Sequence, residues 1–162
     1  MATITISNGD VALVDDDLFG VLNQWKWQSN GRGYACRKER GRSISMHRLV
    51  IDCPPGLELD HINGDKLDNR RENLRVCTHA ENVRNRGQQI RRDPGLPKGV
   101  TACGKRGRYA AHIKYDGRIH RIGTFDSPEE AAHAYDVAAI KHHGEFARPN
   151  FLLATVPAQA TA

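Results

Sequence analysis

The pair Asp60-His61, followed after eleven residues by Asn73 and after eight more by Asn82, is the part of this sequence best equipped for chemistry. Hydrolysis of a phosphodiester needs a group that takes a proton from water near neutral pH, and histidine, with an ordinary pKa of about 6.5, suits that task. The leaving oxygen develops negative charge, which a divalent cation neutralises. A hard cation such as Mg²⁺ takes oxygen ligands and keeps several waters, so one carboxylate and one amide carbonyl suffice. His61 fits the base, and Asp60 and the side-chain oxygen of Asn82 fit the ligands. An isolated Asp-His pair would ordinarily be a turn cap beside a core histidine. The ordered set makes chemistry the stronger reading.

The elements that must position these residues can be read from the surrounding pattern. Leu57 to Ile62 reads as a strand entering the Asn63-Gly64 turn, and Asn73 to Cys77 as the returning strand. Thr78-His79-Ala80-Glu81 is a capping box, so a helix should begin there and carry Asn82 one turn in. Adjacent strand residues point to opposite faces, so Asp60 and His61 can serve one phosphate only if the strand ends or kinks at the turn. Farther upstream, Thr3 to Ile6 and Val11 to Val14 read as short strands around the Asn8-Gly9 turn. Ser45 to Ile51 is a strand end or a short helix, and Trp25, Trp27 and Tyr34 supply core or scaffold, with stacking on DNA as the lesser alternative. His79, at the first helical position, is expected to face solvent, and Asn69 to be structural. His47 could contact a phosphate or pack beneath the site.

The run from Met46-His47-Arg48-Leu49-Val50 through Leu59-Asp60-His61-Ile62-Asn63-Gly64-Asp65, Leu67-Asp68-Asn69-Arg70, Glu72-Asn73-Leu74-Arg75 and Glu81-Asn82 closely resembles HNH endonucleases of the phage and homing type. The resemblance implies a ββα-metal fold in which two antiparallel strands and a helix clamp one divalent ion. It implies His61 and Asn73 as catalytic residues, His61 as general base and Asn73 bracing the loop between the strands through backbone hydrogen bonds. It further implies Asp60 and Asn82 as metal ligands. Asp and Asn stand here where many relatives have histidine ligands, which shifts the expected metal from zinc or nickel toward Mg²⁺ or Mn²⁺.

Gln88 to Pro97, with two prolines, a glycine and no apolar periodicity, reads as a linker. Beyond it, Tyr109, Ala111, Ile113 and Tyr115 alternate with Arg108, Ala110, His112 and Lys114, as a half-buried strand requires. Asp116-Gly117 signals a hairpin, a second strand runs to Phe125, and Ser127-Pro128-Glu129-Glu130 starts a helix that stops near Gly144. Residues 87–126 carry 9 Lys or Arg against 3 Asp or Glu, whereas residues 1–86 carry 13 against 12. Such a concentrated excess is the footprint of nucleic-acid binding, with a solvated basic face as the plain alternative. Lys98-Gly99-Val100, Tyr109 to Ile113, Ile122-Gly123-Thr124-Phe125-Asp126-Ser127, Glu129 to Asp136, Ala138-Ala139 and Asn150-Phe151 resemble the DNA-binding domain of plant ethylene-response factors, the apetala-two type. The resemblance implies a three-stranded antiparallel sheet backed by one helix, its open face laid in the major groove. Arg106, Arg108, Lys114, Arg118 and Arg121 are the expected DNA contacts. The tryptophans of the plant face are absent and His112 replaces an acidic residue, so the plant base preference does not carry over.

The expected architecture is thus α+β. A ββα-metal HNH nuclease domain spans residues 1–87, with its core at about 44–86. A linker spans 88–97, a three-stranded antiparallel sheet packed on one helix spans 98–151, and a flexible tail spans 152–162. The expected partner is double-stranded DNA and the expected cofactor one divalent metal ion, Mg²⁺ or Mn²⁺, with no small-molecule cofactor. Cleavage would leave 5′-phosphate and 3′-hydroxyl ends. A monomer, the favoured state, would nick one strand. The rival is a non-catalytic DNA-binding regulator retaining the HNH fold, and homing and restriction roles are not separated. RNA is the weaker substrate, because no aromatic stacking platform stands out. Four scattered cysteines without a C-x-x-C pair read as free thiols rather than a zinc site. No run approaches the roughly 20 apolar residues of a membrane span. The first residues lack the signature of a secretory leader, and a cytoplasmic location in a bacterial or phage-infected cell is expected.

Overall fold

The computed structural model describes residues 1–87, 95–104 and 107–151. The chain divides into two compact units, Met1–Val83 and Arg84–Ala162. The fold is mixed, with several small antiparallel sheets and four α-helices among the described residues.

In the first unit, β1 (Ala2–Thr5) pairs antiparallel with β2 (Val11–Val14). Their inward residues Ile4, Ala12 and Val14 join Ile6, Leu22, Trp27, Ala35 and Met46 in one core. The short helix α1 (Asp16–Leu22) follows, with Asp16 and Asp17 in its first turn where the positive end of the helix dipole favours them. Leu22 is buried in the core, and the carbonyl of Leu22 accepts the indole N–H of Trp27 at 2.8 Å. A three-stranded antiparallel sheet follows, β3 (Gln28–Ser29), β4 (Ala35–Glu39) and β5 (Arg42–Ser45), and then a single helical turn, α2 (His47–Val50). The stretch from Ser45 to Ile51 is therefore both a strand end and a short helix.

The hairpin that carries the chemistry is β6 (Glu58–His61) against β7 (Leu74–Cys77), with Asp60 opposite Arg75 and His61 opposite Leu74. A 3₁₀ turn, Arg71–Asn73, leads into β7. The capping box forms as expected. Thr78 donates both its backbone N–H and its hydroxyl to Glu81 Oε2 at 2.8 Å, and α3 (His79–Asn85) starts there.

The second unit carries a three-stranded antiparallel sheet in the order β10-β9-β8 and one long helix. Its strands are β8 (Val100–Cys103), β9 (Arg108–Tyr115) and β10 (Arg118–Phe125), and its helix is α4 (Pro128–His143). Asp116 and Gly117, both at positive φ, make the tight β9–β10 turn that right-twisted strands favour. Ser127 caps α4, its Oγ accepting the Glu130 N–H at 3.1 Å. Ala131, Ala132 and Ala139, each without measurable exposure, let the helix lie close on Val100, Ala111 and Ile113. The buried carboxylate of Asp136 fastens the end of the unit to its beginning. It accepts the backbone N–H groups of Asn150 and Phe151, while the Asn150 side chain both accepts from Lys98 N–H and donates to Lys98 carbonyl.

Candidate functional site

β6 ends at His61. The Gly64 N–H turns back onto the His61 carbonyl at 2.8 Å, closing the strand where the sequence requires it to stop. Up to that point the alternation of a strand holds. Glu58 and Asp60 share one face, and His61 lies on the other, among different neighbours.

On the first face, Arg75 donates Nε and Nη2 to Asp60 Oδ2 at 3.0 and 2.8 Å. That pairing fixes the plane of the carboxylate. A carboxylate has about four acceptor directions, so it remains a possible cation ligand while held this way. Asn82 comes from α3 to the same face, donating Nδ2 to Glu58 Oε2 at 2.6 Å, and His79 Nδ1 lies 2.8 Å from Glu58 Oε1. Holding the amide nitrogen on Glu58 gives the amide a defined orientation, with its oxygen at the opposite end. Burial first, then the charges of Asp60 and Glu58, push the Cys77 thiol up to about 11. Among the described residues no three His, Cys, Asp or Glu side chains converge as a ligand set. What this face offers is a carboxylate and an amide oxygen on facing elements, a donor set whose chemistry fits a hard, largely hydrated cation.

On the second face, the His61 ring is 4% exposed and packs against Tyr34 and His47, with ring centroids 5.7 and 5.3 Å away. Burial pushes the His61 imidazole below its ordinary value, opposed by the Asn69 side chain and by the charges of Asp60, Asp65 and Asp68. The net lowering favours the neutral ring, the state a proton acceptor requires. His47 is lowered further, to about 4, by burial and then by His61 and Arg48 beside it. His47 packs beside His61 and Tyr34.

The loop between the strands is held by its own side chains. Asn73 accepts the Asn63 N–H at 3.0 Å and donates to the Asp68 carbonyl at 2.8 Å, so one buried amide spans the loop. Asp68 accepts from Arg70 at 2.7 and 2.8 Å and from Asn63 at 2.9 Å, and the Arg70 pairing holds its carboxyl below the usual range. Leu13 ties the loop to β2 by donating to Leu67 and accepting from Asn69, each at 2.8 Å.

Asp60, Asn73, Asn82 and His61 are thus all gathered around one hairpin. Sequence reasoning passed over Glu58 and Arg75. The period of a strand could have found Glu58, two residues before Asp60. Arg75 depends on the hairpin register, which a loop of this length leaves open. His79 is 71% exposed, in keeping with its place at the start of a helix.

The basic sheet places its expected contacts unevenly. Register aligns Arg121 with His112 and Ile119 with Lys114, and Arg108 and Lys114 share that open face, away from α4. Arg118 instead aligns with Tyr115 at the hairpin end, on the helix side, and Arg106 lies outside the described residues. Arg121 donates to Thr124 Oγ1, and Arg108 pairs with Asp126 at 3.0 Å, so both guanidinium groups are anchored along the sheet edge. The four cysteines are free. No helix among the described residues is long and apolar enough to cross a membrane.

Comparison with known proteins matches an HNH endonuclease family model to residues 52–84 and an AP2 domain model to residues 96–145. An uncharacterized HNH endonuclease of Acanthamoeba polyphaga mimivirus is 30% identical over 148 residues, covering 88% of this chain and 75% of that protein. The AP2-like ethylene-responsive transcription factor CRL5 of Oryza sativa subsp. japonica is 36% identical over 129 residues, 74% of this chain but only 19% of the factor. The ethylene-responsive transcription factor LEP of Arabidopsis thaliana is 49% identical over 53 residues, 32% of this chain and 25% of the factor. The viral alignment runs through both units, whereas the plant factors share only a small part of their length with this chain. The chain belongs to the HNH endonuclease family and carries an AP2 domain in its C-terminal part.

Proposed function

We propose that this protein is a DNA endonuclease in which β6, β7 and α3 act as a ββα-metal unit and the C-terminal sheet supplies DNA affinity. The observation that carries the proposal is the buried His61 at the end of a strand whose other face holds Asp60 and, through Glu58, Asn82. Asp60 and Asn82 would hold one divalent cation, Mg²⁺ or Mn²⁺, which when bound neutralises charge on the leaving 3′ oxygen. His61 takes the proton from the attacking water at a ring nitrogen. Tyr34 and His47 hold that ring in place, and Arg75 fixes the plane of the Asp60 carboxylate. Asp60 and His61 reach one phosphate across the strand end at His61, where the Asn63-Gly64 turn begins. Asn73 keeps the loop between the strands from opening, so the distance between the base and the ligand pair is preserved through the reaction.

The nuclease module takes residues 1–87 and the DNA-binding module residues 98–151. Arg108, Lys114 and Arg121 contact DNA from the open face, Arg106 joins them by its place in the sequence, and Arg118 adds charge from the hairpin end. Each chain has one active site, so a monomer nicks one strand and leaves 5′-phosphate and 3′-hydroxyl ends. A role in a phage or other mobile element is in keeping with the viral relative.

The test is conversion of supercoiled plasmid to open circle with Mg²⁺ or Mn²⁺, comparing the wild type, His61→Ala and EDTA-treated protein. Loss of a positioned general base costs about 10²- to 10⁴-fold. His61→Ala should therefore nick at least about 100-fold more slowly while retaining DNA on a gel. Wild-type protein that retains DNA yet never nicks it under either metal would instead be a DNA-binding regulator on an HNH fold.

A further inference from the structure

Ile119 is the most exposed large hydrophobic side chain among the described residues, at 72%. It sits in the second position of β10, directly opposite Lys114, and shares the open face of the sheet with His112 and Arg121. The register brings Thr101 and Cys103 of β8, Arg108, Ala110, His112 and Lys114 of β9, and Arg121 and Thr124 of β10 to this same face. No acidic residue is among them, and Asp126, just beyond β10, pairs with Arg108 and leaves Lys114 and Arg121 as the cations beside Ile119. An isoleucine held in water between two cations contributes nothing to the core, and a threonine would serve the strand equally well. Its cationic surroundings oppose a neutral or basic protein partner and favour a polyanion.

We infer that Ile119 is a specificity-determining residue that packs on the 5-methyl group of a major-groove pyrimidine. The inference rests on the proposal that this sheet binds duplex DNA. In the major groove, only thymine among the ordinary bases offers an apolar group, its 5-methyl, and an aliphatic side chain is its natural contact. 5-Methylcytosine presents the same chemistry. The cations on either side supply phosphate or guanine contacts that bring the aliphatic side chain to the base edges. Ile119 and Arg121 are two residues apart on one face, about 7 Å along the strand. The pyrimidine read by Ile119 therefore lies within about two base pairs of the group met by Arg121.

The test uses the full chain in EDTA, so that bound DNA is not cut, and a pool of random duplexes from which retained sequences are selected. The selected duplex is then titrated with each thymine replaced in turn by deoxyuridine, which lacks only the methyl, and with each cytosine replaced by 5-methylcytosine. One pyrimidine position should respond, weakening about fourfold on loss of a thymine methyl or strengthening about as much on gain of a cytosine methyl, the worth of one buried methyl group. The response distinguishes the two sources of the methyl. Ile119→Ser, a surface change whose folding is checked by circular dichroism, should bind both forms of the duplex equally. Tight binding with no methyl-dependent position, or a methyl response that persists in Ile119→Ser, overturns the inference and leaves the DNA-binding reading intact. Failure of the wild type to retain any duplex overturns both.

Discussion

Asn73 is a small side chain with a large structural share. Its amide is 6% exposed, accepts from Asn63 N–H and donates to Asp68 carbonyl, so removing it takes a partner from two backbone groups of the loop at once. Asn73→Ala should destabilise the first unit by about 2–3 kcal/mol in urea unfolding. Asn73→Asp keeps the acceptor but turns a buried carboxylate oxygen toward the Asp68 carbonyl, so its loss should be at least as large. An Asn73→Ala protein as stable as wild type would mean that the loop does not depend on this amide. His47 makes a different prediction. Its folded pKa of about 4 lies below the ordinary 6.5, so between those values the unfolded chain binds more protons than the folded one. The stability that depends on neutral His47 is fully present above pH 6.5 and is lost as pH falls toward 4, amounting to about 3 kcal/mol. His47→Phe keeps a ring beside His61 and Tyr34 but cannot titrate. Its unfolding free energy should fall less between pH 7 and pH 4 than that of the wild type. Parallel pH profiles for the two proteins would show that His47 is not the group responsible.

At the scale of elements, the second unit depends on a close approach that tolerates one residue type. Gly99, at φ +80° just before β8, sits against Tyr135 of α4, and a Cβ there would lie 2.0 Å from a ring carbon. Tyr135 is 4% exposed in the cluster with Ile113 and Ala139, so the ring cannot move aside cheaply. Gly99→Ala should cost about 3 kcal/mol, combining backbone strain with overpacking, and thermal unfolding would detect it. Ser127→Ala, which removes only the α4 cap, should cost about 1 kcal/mol. A Gly99→Ala protein no less stable than Ser127→Ala would place the ring elsewhere. The helix α1 illustrates the opposite case. Its seven residues include Gly20 and it has no side-chain cap bond, so local preference for helix is weak. It is held from afar, by burial of Leu22 and by Arg71, which donates its backbone N–H to Asp15 at 3.0 Å and its side chain to Asp17 at 2.9 Å.

For the whole molecule, charge is distributed by function. Of a net charge of +5, residues 87–126, the stretch that includes the three sheet strands, carry +6 and the rest of the chain −1. Each cation that replaces a condensed counterion on duplex DNA adds about 0.9 to the slope of log affinity against log salt. Arg108→Ala and Arg121→Ala should each lower that slope by about this amount and together by about twice as much. Arg118→Ala, which removes a charge from the other side of the sheet, should change it less. Equal effects at all three positions would mean that binding follows net charge rather than one face.

The sequence by itself determined everything that depends on local or near-local physics. The capping box at Thr78, the Ser127 cap of α4, the Asp116-Gly117 turn and the strand β9 are set by neighbours a few residues apart, and all appear where the sequence puts them. The motif spacing likewise delivered Asp60, His61, Asn73 and Asn82 to one hairpin and its following helix, because a strand, a loop and a capped helix have nearly fixed lengths. Tertiary structure decided what pairs across distance. The register that puts Arg75 on Asp60, the packing of Tyr34 and His47 on His61, and the formation of α1 depend on long-range contacts that no local pattern encodes. It also decided which basic residues take the open face. Arg118 and Arg121 lie three residues apart on one strand, so alternation sends them to opposite faces, and only the pairing with β9 and the packing of α4 settle which face is open.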